Sequence, residues 1–158
     1  MAPMNPADML PHAAPMVLLD EVVRADAAGA ATALTIRSDD RFFRPGQGVP
    51  AHVAIEWMAQ TCGVFAGQDA SPGAPVEIGF LLGTRRFQAS RPWFVEGEKL
   101  LVQADLVLRD DGMGVFDCTV RDAEGAARAT AQLTTYQPSN GASAASGVLG
   151  KGISETQA

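Results

Sequence analysis

The sequence predicts a single α+β domain, an antiparallel sheet curled around one long buried helix. Three observations predict it: a helical stretch at residues 51–68 that is apolar on most sides, β-type segments before and after it, and turn-forming residues between neighbouring segments. A helix that is hydrophobic nearly all round is a buried one. Strands clustered after a single helix argue for an antiparallel sheet on one side of it. The sheet must therefore curl to cover the helix, and a second subunit would complete the cover.

Residues 1–15 are rich in Pro, Met and Ala, with at most one helical turn around residues 7–10. Residues 16–23, Met-Val-Leu-Leu-Asp-Glu-Val-Val, predict a first strand. Residues 31–37 alternate and predict a second, with Asp26 to Gly29 as the hairpin turn. Residues 42–50 (Phe-Phe-Arg-Pro-Gly-Gln-Gly-Val-Pro) form a loop, and Pro50 stands where a helix begins. Gly63, Gly67 and Gly73 weaken the helix's C-terminal end. Four further strands are predicted at residues 78–88, 99–109, 115–120 and 128–136. In the last, Ala129, Ala131, Leu133 and Thr135 face one way, and Arg128, Thr130, Gln132 and Thr134 the other. Asp110-Asp111-Gly112 and Ala123-Glu124-Gly125 are turn chemistry. The domain is expected to span residues 1–138. The Ser, Gly and Ala-rich residues 139–158 are expected to be a disordered tail or an appended segment.

A chain of 158 residues is long enough for one domain with its own core. Charged residues make up only 19%, which suggests surface covered by a partner, most commonly a second copy. The net charge of −6, with Arg85-Arg86 as the longest basic run, argues against nucleic acid. Cys62 and Cys118 have no metal-ligand spacing and predict two reduced thiols in the core. Residues 1–10 lack the pattern of a signal peptide, and no apolar run approaches the ~20 residues of a membrane span. A cytoplasmic protein without a metal site is expected.

The helix carries the candidate chemistry. Glu56 is its one acid, and it contains no Lys or Arg. A carboxylate on a buried helix is costly unless it is paired, and such isolated acids mark candidate sites. At about 100° per residue, His52, Glu56, Gln60, Gly63 and Gly67 fall within an arc of roughly 80°. Ile55, Met58 and Phe65 lie opposite. One narrow polar stripe, bordered by small residues, leaves room for a ligand alongside. The plainer alternatives are a solvated or ion-paired Glu56 that suits the helix dipole, and a surface His52 in an ordinary i, i+4 pair. Gln60 reads as support for Glu56 and part of the substrate-facing stripe. Arg85, Arg86 and Arg91 would suit a phosphate or an acidic protein face, and equally a solvated strand end. Cys62 reads as a core residue, and Trp57 and Trp93 as core or interface anchors.

Four motifs carry a family resemblance. Residues 10–20, Leu-Pro-His-Ala-Ala-Pro-Met-Val-Leu-Leu-Asp, resemble the opening L-P-H-x-x-P segment of bacterial 3-hydroxyacyl-carrier-protein dehydratases. Phe42-Phe43 followed by residues 49–60 is similar to their P-G-x-x-x-x-E-x-M-A-Q helix. Residues 79–86, Gly-Phe-Leu-Leu-Gly-Thr-Arg-Arg, and the closing Tyr136-Gln137-Pro138 are similar to a narrower branch, the dehydratase-like subunits of aryl-polyene and related assembly lines. The resemblance covers about residues 7–138. It implies a hot-dog fold and an active site at a dimer interface. It also implies that the acid on the central helix, here Glu56, protonates the departing hydroxyl while a loop histidine takes the C2 proton. In place of the usual G-H-F-P-G loop this chain has Arg44-Pro45-Gly46-Gln47-Gly48. Of its two histidines, His12 lies in the opening motif and His52 is the candidate base.

The leading expectation is therefore reversible dehydration of a 3-hydroxyacyl thioester on an acyl carrier protein. Catalysis falls to Glu56 and His52, and Gln60, Gly63, Arg85 and Arg86 line the substrate. No cofactor is expected beyond the phosphopantetheine arm that the substrate brings. A hot-dog thioesterase needs no loop histidine and is the first rival. A non-catalytic subunit that binds acyl thioester or supports an active hot-dog partner is the second. The partnership is open between a homodimer and a heterodimer with a related subunit.

Overall fold

The apolar helix lies against an antiparallel sheet whose strands all reach it. The computed structural model describes residues 4–9, 16–68 and 79–138. In chain order these form β1 (Glu21–Asp26), β2 (Gly29–Thr35), a two-residue β3 (Val49–Pro50), a 3-10 turn (Ala51–Val53), α1 (Ala54–Gly67), β4 (Phe80–Ala89), a two-residue β5 (Trp93–Phe94), β6 (Lys99–Asp110), β7 (Met113–Arg121) and β8 (Ala127–Tyr136). Six strands pair antiparallel in the order β1-β2-β6-β7-β8-β4, and β3 pairs with β5. All six strands of the larger sheet touch α1, so the sheet curls around the helix as the sequence requires.

Burial explains the curl. Trp57, Met58 and Val64 of α1 are fully buried. They meet an alternating inner face on which Phe116, Cys118 and Val120 of β7 stand opposite Leu133, Ala131 and Ala129 of β8. Each large side chain withdrawn from water in this way contributes about 1.5–3 kcal/mol. Thr61 ties the helix to β2 through a buried hydroxyl pair with Thr32 at 2.8 Å, and its Oγ1 also bonds the Trp57 carbonyl. At the helix's end, a Cβ on Gly67 would lie 2.5 Å from the Met9 carbonyl oxygen, so only glycine lets the N-terminal turn pack there.

The structure corrects several sequence expectations. The first strand begins at Glu21 and runs to Asp26, five residues later than expected, and residues 16–19 form an extended strap outside the sheet. The turn after β1 is made by Asp26, whose carboxylate accepts from the Ala28 and Gly29 amides. The Arg24 guanidinium beside it, followed by those amides, holds this carboxyl below its usual range. The helix opens with a 3-10 turn before α1 begins. β5 was not expected, because a two-residue strand leaves no periodic signal. Arg128, placed by alternation on the face opposite Ala129 and Leu133, is buried as they are. His12, Gly73, Ile78 and the expected tail at residues 139–158 lie outside the described residues.

Candidate active site

Two elements build the site: the first two turns of α1 and the strap at residues 16–18. Glu56 is half-buried in the helix's first turn. One turn on, Gln60 is fully buried. Its side-chain amide makes three hydrogen bonds. Nε2 donates to Glu56 Oε1 at 3.2 Å and to the Met16 carbonyl at 2.7 Å, and Oε1 accepts from the Leu18 amide at 2.9 Å. The i, i+4 spacing brings Gln60 under Glu56; the strap fixes it there. Spacing alone gave the Glu56–Gln60 pair. The strap was the functional element the sequence hid, because its apolar residues read as a strand and the contact is made by backbone atoms.

The other predicted site residues are arranged less closely. His52 is exposed in the 3-10 turn, one turn before Glu56. Gly63 is half-buried farther along the helix. Arg85 and Arg86 are exposed on the edge strand β4, at a bulge where Arg86 takes φ 54°. Gly46-Gln47-Gly48 forms a closed turn in which Arg44 and Gly48 exchange backbone bonds. Gly48 has φ +116° and abuts the Phe94 carbonyl, where a Cβ would lie 2.1 Å from the oxygen. This glycine sets the close approach of the loop to β5 at the start of the helix.

Two open clefts, of about 670 and about 510 Å³, share Asp20, Thr35 and Arg37. Neither of these two is lined by Glu56. Among the described residues no three His, Cys, Asp or Glu side chains gather as metal ligands would, and no helix is long and apolar enough to cross a membrane.

Cys62 and Cys118 are both buried free thiols with sulfurs 4.0 Å apart. Burial, reinforced by the neighbouring Cys118, pushes the Cys62 thiol well above its ordinary range. A thiolate is the reactive form. The native protein is thus expected to leave both thiols unmodified by an aromatic disulfide reagent over minutes, with both reacting promptly in denaturant. Prompt labelling of the folded chain would contradict the buried pair.

Comparison with known proteins now places the chain. The family model for ApeP-like dehydratases, described as ApeP dehydratase, matches residues 4–146. The chain belongs to the ApeP-like dehydratase family. A solved relative, the dehydratase heterocomplex ApeI:P from Xenorhabdus doucetiae, superposes with a TM-score of 0.78 at 33% identity, covering 85% of this chain and 91% of that one. The FabZ 3-hydroxyacyl-[acyl-carrier-protein] dehydratase of Psychrobacter arcticus is 29% identical over 119 residues, 70% of this chain and 80% of its own length. That of Yersinia enterocolitica is 26% identical over 137 residues, 83% and 81% of the two chains. A hypothetical thioesterase protein from Streptococcus pneumoniae, solved with coenzyme A, at TM-score 0.59 and 11% identity over 74% of this chain and 84% of its own, shares the fold alone. The expected hot-dog fold and dehydratase family are both borne out.

Proposed function

We propose that this member of the ApeP-like family works as a subunit of a cytoplasmic 3-hydroxyacyl-thioester dehydratase, acting on an acyl chain delivered by a carrier protein's pantetheine arm. The observation that carries this reading is Glu56, an acid on an otherwise apolar helix, oriented by a buried glutamine amide. A base removes the C2 proton and Glu56 protonates the C3 hydroxyl. The C3–O bond breaks, and water leaves an enoyl thioester. The positive end of the helix, beginning at the 51–53 turn, favours the charge that develops on the thioester oxygen. His52 is this chain's own candidate base, and Arg85 with Arg86 the candidate cationic contact for the carrier.

A dehydratase-like subunit that depends on a hot-dog partner is the second reading. Two observations favour it. The loop before the helix holds Arg44-Pro45-Gly46-Gln47-Gly48 and no histidine, and the solved relative at 33% identity is a heterocomplex. The partner would join at β4. That strand closes one end of the sheet with Phe80, Leu81 and Leu82 exposed by 41, 43 and 57%. At the opposite end β1 is bridged by Met4. An exposed apolar edge strand is a template for pairing with another chain, and the register shifts of β4 between Leu81 and Gly83 and between Arg85 and Gln88 divide that template into short stretches. Leu82→Lys is expected to weaken subunit association at least about tenfold, read by analytical ultracentrifugation, because a buried unpaired charge opposes it. Unchanged association would place the interface elsewhere.

Mass spectrometry after incubation with a 3-hydroxyacyl-carrier-protein thioester separates the readings. Loss of one water with the thioester intact is the dehydratase outcome for the chain alone. The same loss only after a second hot-dog subunit is added is the partner-dependent outcome. Release of free acid would indicate hydrolysis and overturn both.

A further inference from the structure

We propose that the outer face of the sheet, at the end where β6 turns into β7, packs against the same face of a second copy of this chain, about a two-fold axis parallel to the strands. The inference goes beyond the dehydratase reading and does not rest on it. Strand pairing decides which side chains share this face. Asp110, Met113, Tyr136 and Phe80 stand opposite one another across β6, β7, β8 and β4. The next row is Leu108, Val115, Thr134 and Gly83. Phe116, Cys118 and Leu133, at the alternating positions, are buried on the helix side. Both rows therefore point away from α1. Five apolar side chains meet there, with Leu108 exposed by 59%, Met113 by 42% and Phe80 by 41%. A contiguous apolar patch on an outer sheet face marks an interaction surface.

Charge says what covers the patch. The third row is Asp105, Asp117, Gln132 and Arg85. Asp105 and Asp117 are like charges directly opposite each other on neighbouring strands, which is destabilising. Arg24 approaches Asp105 at 3.5 Å, and Asp117 accepts from Gln132 Nε2 at 3.1 Å. Arg85, at the other end of the row, makes no ion pair among the described residues. Within one copy the width of β8 keeps this arginine from the two acids. A two-fold axis running between β7 and β8 lays β6 of one copy over β4 of the other. Arg85 then meets Asp105 twice, once from each copy, and relieves the repulsion. In the apolar rows the same axis sets Met113 against Tyr136, a thioether on an aromatic ring. One face thus supplies both halves of the contact. Stacked sheets lie about 10 Å apart, and the long Arg85 side chain spans the gap that the curl opens at the rim. Four strands at about 4.8 Å and seven residues at about 3.3 Å give roughly 450 Å² on each copy. Two such faces stand just under the ~1,000 Å² of a lasting interface, so the association is reversible. The β4 edge stays open to the partner subunit, and Arg86 is left as the carrier's contact.

Sedimentation of the full chain between about 1 and 100 µM, alone and with its partner subunit, tests this. Arg85→Glu sets a third acid against Asp105 and Asp117 of the other copy. It is expected to weaken the face contact at least about tenfold, so that at a given concentration the parent assembly has twice the variant's mass. Asp105→Arg alone should do the same. The two substitutions together exchange the charges and are expected to restore association to within about threefold of the parent. That rescue is what a merely damaged fold cannot produce. Met113→Glu, at an exposed position, should also halve the mass while the melting temperature stays within a few degrees. A parent with the same mass as Arg85→Glu overturns the proposal, and so does a double variant that stays as weak as the single ones. An unchanged mass with a lowered melting temperature in Met113→Glu would place the chain's own residues 139–158 on this face, and overturns it as well.

Discussion

Glu56→Gln is expected to lower dehydration by at least about 10²–10⁴-fold, the contribution of a positioned acid or base, while the melting temperature stays within a few degrees. The substitution keeps length and shape, and it sits on a half-buried helix position that tolerates glutamine. An amide cannot protonate a departing hydroxyl. Gln60 remains able to donate to the new carbonyl oxygen, so the local packing survives. The loss should appear in kcat, since substrate contacts are unchanged. His52→Ala provides the contrast. A comparable fall would assign the C2 base to this chain, whereas near-normal turnover in the complex would assign it to the partner. Full activity of Glu56→Gln would falsify the acid role and, with it, the reading of α1 as the catalytic helix.

The fold was legible where periodicity is long. α1 is apolar on most sides, and β7 alternates over nine residues, so both follow from the sequence. The polar stripe on α1 was legible too, but its members divide by depth. His52 is exposed, Glu56 half-buried and Gln60 fully buried. Angular position on a helix says which residues share a face; how deeply each sits depends on what packs against it. The strap misled for a related reason. Val17, Leu18 and Leu19 are apolar enough for a strand, yet the Leu18 amide and Met16 carbonyl are taken by a side chain 42–44 residues away. No local pattern records a partner that distant. β5 and the burial of Arg128 were hidden in the same way, since each depends on contacts between separate strands.

Arg128 yields the largest expected effect on stability. Its side chain is only 6% exposed and is paired with Glu98, which is 17% exposed. Its guanidinium lies 5.0 Å from the Phe94 ring centroid, and Phe94 in turn packs edge-on against Trp57 at 5.0 Å. The Arg128 Nε and the Trp57 indole N–H flanking that ring both lack a partner among the described residues. The corner at the helix start is thus already short of hydrogen-bond acceptors, and among the described residues Glu98 supplies the charge that compensates Arg128. Glu98 also accepts from the Val95 amide, so it fixes the loop after β5 as well. Removing one member of a buried ion pair strands the other, at a cost of about 3–5 kcal/mol. In a chain this size each kcal/mol lowers the melting temperature by about 2–4 °C. Glu98→Ala is therefore expected to melt some 6–20 °C lower, whereas Glu98→Ala with Arg128→Met, which removes both charges and keeps apolar bulk over Phe94, should recover most of the loss. Calorimetry on the parent, single and double variants measures it. If the single variant melts within about 2 °C of the parent, the pair is solvated and Arg128 is held by its aromatic contact instead.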